Sequence, residues 1–145
     1  MKLALISDIH GNICGLIEVL KAIDKIECVD KLVVAGDVLT ANSGTNDLMD
    51  LLIKREAEFI KGNVEEILCD FEGSLPKIPQ RFHRYFMVWQ RWLQQRLSAE
   101  NWKLLAEGPL SRTYDLDGRY RVLACHATPR DSWARVCGAG VSMER

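Results

Sequence analysis

Four short motifs in the sequence end in polar residues that could bind divalent metal ions. The candidate ligands are Asp8, His10, Asp37, Asn63 and His126. Carboxylate, imidazole and amide donors suit Mn²⁺, Fe²⁺, Zn²⁺, Ni²⁺ or Mg²⁺, and the lack of a thiolate among them argues against a structural zinc site. Two ions about 3.5 to 4 Å apart can hold an attacking hydroxide and the oxygens of a phosphoryl group. Phosphoester hydrolysis is therefore the chemistry that this set serves best.

The candidate ligands follow segments that the sequence predicts to be β-strands. Apolar runs predict strands over Leu3–Ile6, Lys31–Ala35 and Ala57–Ile60. Apolar periodicity predicts helices over Ile13–Lys25 and Asp47–Arg55, the second capped by Asn46. This alternation predicts a parallel sheet, and ligands bind at the carboxyl ends of the strands in such sheets.

Asp8 and His10 lie two residues apart after the first predicted strand. Because side chains alternate along a strand, we expect both to point to the same side and to share one metal ion. The alternative is that Asp8 caps the helix that follows. The motif alone does not decide between these two interpretations.

The second half of the chain is predicted to be helical before it returns to strands. Helices are expected over residues 64–70, 80–97 and 98–108, with a proline-bearing loop over Gly73–Pro79. Aromatic residues at helical spacing between Phe82 and Trp92 predict a core-facing side, with a platform that stacks on substrate as the alternative. Strands over Arg112–Leu116 and Tyr120–Cys125 predict a hairpin that leads to His126.

The composition is that of an ordinary globular protein. A net charge of −1 over 145 residues gives no argument for nucleic-acid or membrane binding. Neither an apolar run long enough to cross a bilayer nor a signal peptide is found, so we expect a cytoplasmic protein. The cysteines lack a Cys-x-x-Cys pair and are expected to be reduced and mostly buried. They are Cys14, Cys28, Cys69, Cys125 and Cys137.

Taken in order, the motifs resemble those of the calcineurin-like metallophosphoesterases. The sequences Ser-Asp-Ile-His-Gly-Asn at 7–12, Ala-Gly-Asp-Val at 35–38, Gly-Asn at 62–63 and His-Ala-Thr-Pro-Arg at 126–130 are most similar to the small bacterial phosphodiesterase-type branch. The resemblance implies an α/β fold, a two-sheet sandwich flanked by helices, in which the hairpin begins the second sheet. It also implies a divalent-metal-dependent phosphoester hydrolase.

The resemblance gives each candidate ligand a role. Asp8 and His10 would bind the first metal ion, Asp37 would bridge the two ions, and Asn63 and His126 would bind the second. A hydroxide bridging the ions would be the nucleophile, with Asp37, Asn63 and His126 as the catalytic residues. The two divalent ions would be Mn²⁺ in the first instance, with Fe, Zn, Ni or Mg as alternatives.

Further residues are implied to support this site. Asn63 and Arg130 would contact the substrate, although a surface salt bridge is an equal alternative for Arg130. Glu65 would orient its neighbours, with a helix-capping or surface role as the alternative. Val64 stands where many relatives have a histidine that acts as an acid, which argues against hydrolysis of esters with poor leaving groups.

One motif of the family has no counterpart in the sequence. The Gly-His-x-His motif, which supplies one more ligand to each metal ion, is absent. The resemblance therefore implies a single, C-terminally shortened domain over residues 1–145 with an incomplete second sheet. Three hypotheses remain open: an active phosphoesterase, a weakened remnant that binds metal or phosphate, and a homo-oligomer in which a partner copy completes the site or the sheet edge.

Overall fold

The computed structural model describes residues 1–40 and 45–134, which form two β-sheets flanked by helices. The strands are β1 (Leu3–Ile6), β2 (Lys31–Ala35), β3 (Glu58–Ile60), β4 (Ser111–Leu116) and β5 (Tyr120–Cys125). The first three form a parallel sheet in the order β1-β2-β3, and the last two form an antiparallel hairpin. The predicted α/β class and the arrangement in two sheets are confirmed.

Helices connect the parallel strands and fill the middle of the chain. They are α1 (Ile13–Ile23), α2 (Thr45–Lys54), α3 (Asn63–Cys69), α4 (Phe71–Ser74), α5 (His83–Gln94) and α6 (Ala99–Ala106), with 3₁₀ turns at Leu75–Lys77 and Gln80–Phe82. Asn12 caps α1 by accepting a hydrogen bond from the Gly15 amide at 2.9 Å. Ser98 caps α6 in the same way through the Asn101 amide at 3.2 Å.

Two local predictions are wrong. The segment Gly73–Pro79 is partly helical, because Asp70 caps α4 and Pro76 lies in the first turn of a 3₁₀ helix, where its missing N–H costs nothing. Asn46 lies inside α2 and does not cap it. Its amide nitrogen instead donates to the Arg96 carbonyl at 2.6 Å, and its amide oxygen accepts from the Ser98 N–H at 3.0 Å.

The main core lies between the parallel sheet and the helices. Trp89 and Leu93 of α5 are buried in it, as is Leu97 just beyond this helix, which confirms that this part of the predicted apolar stripe faces the core. Each such side chain contributes about 1.5 to 3 kcal/mol through removal of its apolar surface from water. Phe82 and Tyr85 remain 42% and 60% exposed, so the stripe ends at the surface.

A second, smaller core joins the two sheets. It contains Val33, Ile60, Tyr114 and Ala124, which come from four different strands. Beside it lies a group of charged and polar residues that we call the Glu58 cluster: Lys31, Glu58, Arg112 and Tyr114.

Within the Glu58 cluster, each charge has a partner. Lys31 pairs with the Glu58 carboxylate, and the Tyr114 hydroxyl donates to the same carboxylate at 2.9 Å. The hydrogen bond from Lys31 lowers the pKa of Glu58 below its usual value. Burial, together with the carboxylate that it faces, raises the pKa of Tyr114.

The cysteines depart from their predicted burial. Cys14 and Cys28 are exposed, and Cys69 and Cys125 are partly buried, all four as free thiols. The prediction that they are mostly buried is therefore wrong for these four, while Cys137 lies outside the described residues. In the described part of the chain, no helix has the length and apolar character needed to cross a membrane.

Candidate metal centre

The candidate ligands lie in loops that follow β1, β2, β3 and β5. Asp8 and His10 donate their backbone N–H groups to the carbonyls of Gly36 and Asp37 at 3.1 and 3.0 Å, so the two loops stay paired beyond the strands. Because β1 ends at Ile6, strand alternation does not explain how Asp8 and His10 converge. That part of the sequence argument is wrong.

Left-handed backbone conformations, and not the alternation of side chains along a strand, orient these residues. Asp8, His10 and Asp37 have φ values of 54°, 47° and 55°. A non-glycine residue in this region costs of order 1 kcal/mol or more, and such strain gathers at functional sites because the surrounding structure must enforce it. Here the strained loops bring an imidazole and two carboxylates together.

All five candidate ligands meet at this edge of the parallel sheet. His10 Nε2 lies 3.6 Å from Asp8 Oδ1 and 3.7 Å from Asp37 Oδ2. His126 Nε2 lies 3.6 Å from Asp37 Oδ1 and 3.1 Å from Asn63 Oδ1. Ligand atoms of Asp8, Asp37 and His126 all lie within 4.8 Å of one another, which is compact enough for a metal ion.

The orientation of His126 fits metal binding. Its Nδ1 lies 2.8 Å from the Ala35 carbonyl, which can only accept, so Nδ1 carries the proton. In the neutral imidazole, Nε2 then presents a lone pair towards Asn63 Oδ1 and Asp37 Oδ1, which also only accept. Several lone pairs directed at one region are the arrangement that a cation requires.

Asp37 is buried at the centre of the site, with 5% of its surface exposed. Burial raises the pKa of its carboxyl group, against the opposing effects of the Val64 N–H and of His126 and His10. The Val64 N–H donates to Asp37 Oδ1 at 3.0 Å. This bond fixes one carboxylate oxygen and occupies the only donor that Val64 offers.

Glu65 is a buried carboxylate that holds the site's backbone. It accepts N–H groups from Asp37 and Val38 at 2.8 Å each and from Gly62 at 2.9 Å. Burial, with the charge of Asp37 next, raises its pKa. The orienting role implied by the resemblance fits these contacts, and the capping alternative is also met because Gly62 is the N-cap of α3. A surface role is excluded by its 1% exposure.

Two glycines allow the loops to approach this closely. Gly36 has φ of 85°, and a Cβ there would lie 2.6 Å from the Gly62 backbone and 2.9 Å from His126 Nδ1. A Cβ on Gly62 would lie 2.6 Å from the Asp37 backbone nitrogen. Any larger residue at either position would push the candidate ligands apart.

A cavity of about 410 Å³ opens beside the candidate ligands. Asp8, Asn63 and His126 form one part of its lining, and residues 132–134 form another. Arg130 is exposed and is not among the lining residues, and no ion pair of Arg130 is found within residues 1–40 and 45–134. Sequence reasoning missed Ser132 and Trp133, for which the only signal is that they follow His126 closely in the chain.

Comparisons with solved structures show similarity of fold. The fold is similar to a metallophosphoesterase from Sphaerobacter thermophilus, with a TM-score of 0.55 and 20% identity over 77% of this chain and 42% of that one. It is also similar to a hypothetical protein from Pyrococcus horikoshii OT3, with a TM-score of 0.62 and 16% identity over 83% of this chain and 52% of that one. The chain thus spans about half the length of the solved structures that it matches.

The family follows from the sequence match. The calcineurin-like phosphoesterase model matches residues 1–136, so the chain belongs to the calcineurin-like phosphoesterase family. Members of this family hydrolyse phosphoesters and in general bind divalent metal ions. A comparison with curated protein sequences found no match.

Proposed function

We propose that this chain is a divalent-metal-dependent phosphoester hydrolase, acting on phosphodiesters or small phosphomonoesters. The proposal rests on the convergence of Asp8, Asp37 and His126, whose ligand atoms lie within 4.8 Å of one another. His10 and Asn63 extend this set on its two sides. Asp8, Asn63 and His126 line a cavity of about 410 Å³ in which a substrate has access to them.

The chain's residues would hold two metal ions. Asp8 and His10 are assigned to the first, Asn63 and His126 to the second, and Asp37 to both, since its two oxygens face His10 and His126 separately. Mn²⁺ is our first choice because mixed carboxylate, amide and imidazole donors suit it, and Fe, Zn, Ni and Mg are the alternatives. When bound, such ions lower the pKa of water and neutralise phosphoryl charge.

The protein's own contribution is to position the candidate ligands and to bury Asp37 away from water. Glu65 and the Val64 N–H fix Asp37, and the Ala35 carbonyl sets the tautomer of His126. Asn63 is assigned a second role in binding a phosphoryl oxygen, and so is Arg130 through rotation of its exposed side chain. Because the alkyl side chain of Val64 has no proton to donate, it cannot protonate a leaving group, and esters of acidic alcohols are the better substrates.

The direct test is hydrolysis of bis(p-nitrophenyl) phosphate with Mn²⁺. We expect metal-dependent turnover that falls at least about a thousandfold in Asp37→Ala, because this change removes the residue assigned to both ions. Asp47→Ala is the matched control, since Asp47 is exposed on α2, and it should retain full activity. Equal turnover in Asp37→Ala and the wild type would contradict the proposal.

A second candidate function is binding without turnover. The chain has only three histidines, and Asp8, Asp37 and His126 suffice for a single ion. A remnant of this kind would bind one metal ion or phosphate. Calorimetric titration with Mn²⁺ separates the two, since one ion per chain favours the remnant and two favour the enzyme.

Self-association is a further part of the proposal. Leu5, Ile26 and Leu123 are each at least half exposed and border an apolar groove between β1 and the hairpin. We propose that a second copy covers this surface, which light scattering would show as a dimer.

The free thiols support a cytoplasmic location, where such thiols stay reduced.

A further inference from the structure

The cavity beside the metal centre has a part of its lining that the candidate ligands do not explain. Ser132 and Trp133 line the same 410 Å³ space as Asp8, Asn63 and His126. The volume falls in the range of pockets that enclose small ligands, roughly 300 to 1,000 Å³. A phosphoester bound at the candidate ligands would therefore contact Ser132 and Trp133 as well.

Ser132 carries a buried hydroxyl with no partner. Its side chain is 3% exposed, and within the described residues its Oγ makes no hydrogen bond. A buried polar group without a partner destabilises the folded state, so such groups are rare in native structures. Because Ser132 lines the cavity, rotation of its side chain would bring the hydroxyl to a phosphoryl oxygen, which would accept its hydrogen.

Trp133 is held in place by polar contacts at its edge. Its indole Nε1 donates to Glu66 Oε2 at 2.7 Å, and its backbone N–H donates to Asp131 Oδ1 at 2.9 Å. The Lys77 ammonium lies over one face of the indole, 5.7 Å from the ring centroid, so stacking would use the other face. Glu66 belongs to α3, the helix that begins at Asn63, so these contacts tie the indole to the element that carries a candidate ligand.

A fixed indole in a substrate cavity has a specific use. Its flat surface is suited to stacking on another ring, and little conformational entropy is lost because the ring is already ordered. Stacking on aromatic side chains is a main source of affinity in proteins that bind single-stranded nucleic acids. The same contact would favour phosphoesters that carry a ring over those that do not.

We propose that Ser132 and Trp133 form the substrate-recognition part of the site: the Ser132 hydroxyl donates to a phosphoryl oxygen, and the Trp133 indole stacks on an aromatic ring of the ester. The substrate class is a phosphoester with an aryl or nucleoside group. This inference rests on the proposed function, because it requires a phosphoryl group at the candidate ligands.

The test measures binding, so that it does not depend on turnover. Phenylphosphonate and methylphosphonate are titrated calorimetrically into the full chain with Mn²⁺. We expect the wild type to bind phenylphosphonate about tenfold more tightly, a difference that Trp133→Leu abolishes by weakening phenylphosphonate alone. Ser132→Ala should weaken both probes about tenfold, because both present phosphoryl oxygens.

Two further variants guard the interpretation. Trp133→Phe keeps a ring but loses the hydrogen bond to Glu66, and it should retain most of the preference for phenylphosphonate. Tyr120→Leu removes an aromatic ring that is 71% exposed at the far end of β5, and it should bind both probes as the wild type does. The same design with AMP and ribose 5-phosphate shows whether the preferred ring is a nucleobase.

The outcomes distinguish a failure of this inference from a failure of the proposed function. If both phosphonates bind the wild type equally, or if Trp133→Leu keeps the preference, the role of Trp133 is overturned and the proposed function stands. Unchanged affinity in Ser132→Ala overturns the role of Ser132 alone. If neither phosphonate binds the wild type in the presence of Mn²⁺, both the inference and the proposed function are contradicted.

Discussion

Two groups of partly buried charged residues in this molecule have opposite electrostatic surroundings. In the Glu58 cluster, the carboxylate faces a lysine, an arginine and a tyrosine hydroxyl, and its pKa is lowered. In the candidate metal centre, Asp37 faces Asp8 and lies next to Glu65, and burial raises the pKa of both Asp37 and Glu65. Among the described residues, no lysine or arginine forms an ion pair with Asp8, Asp37 or Glu65.

The difference shows which of the two groups has its charges balanced by residues of the chain. The Glu58 cluster joins the two sheets and balances its charge within the chain. The candidate metal centre gathers three acidic groups against two histidines, in loops with left-handed residues, and this arrangement costs stability unless a cation compensates it. The charges of the Glu58 cluster are therefore balanced by the chain itself, whereas those of the candidate metal centre call for a bound cation.

The largest effect on stability is expected from Glu65→Ala. This change leaves three buried N–H groups, those of Asp37, Val38 and Gly62, without their acceptor, and it should lower the free energy of unfolding by about 4 kcal/mol. Urea unfolding measures it. Glu72→Ala, at an exposed position on α4, is the control. If the two variants lose similar stability, Glu65 does not hold the site.

Gly36→Ala should follow, with a loss of about 3 kcal/mol, because its Cβ would meet both the Gly62 backbone and His126. Gly118→Ala is a matched control, since Gly118 also has a positive φ, 67°, but nothing lies within 4 Å of its added Cβ. It should lose only about 1 kcal/mol, the cost of the backbone conformation. Equal losses in urea unfolding would mean that close packing of the loops is unimportant.

Glu58→Gln should have the smallest effect, about 1 kcal/mol at pH 7, because it removes the charge from a half-exposed network. The pKa of Glu58 is lower in the folded than in the unfolded state, so its contribution is full above about 4.5 and is lost as the pH falls through the folded pKa. The difference in unfolding free energy between wild type and variant should therefore shrink below pH 4.5. A difference that stays constant down to pH 3 would contradict this account.

The sequence was sufficient to predict the class of fold and the five candidate ligands. Strand ends are readable because apolar runs stop abruptly at polar residues, as Ala35 does before Gly36-Asp37. The structure brings together all five residues that the motifs indicated. The reason given for Asp8 and His10 was wrong, because a period of two applies only while the strand continues, and here left-handed turns orient the side chains.

The rest depended on contacts between distant segments. Asn46 is of a residue type that commonly caps helices. Its side-chain amide instead binds the backbone of Arg96 and Ser98, which no local pattern indicates. Trp133 is separated from Glu66 by 67 residues, so periodicity could not have linked them. The substrate contacts that we propose for Ser132 and Trp133 depend on how the loops fold together, and no spacing in the sequence indicates them.

The most direct test of the metal centre is a calorimetric titration with Mn²⁺ of the wild type and of Asp37→Asn. Asparagine keeps the size of the side chain but removes the negative charge that faces both histidines. We expect the wild type to bind two ions and the variant to lose this binding. Absence of Mn²⁺ binding in the wild type, or equal binding by the variant, would contradict the assignment of a metal centre to this edge of the sheet.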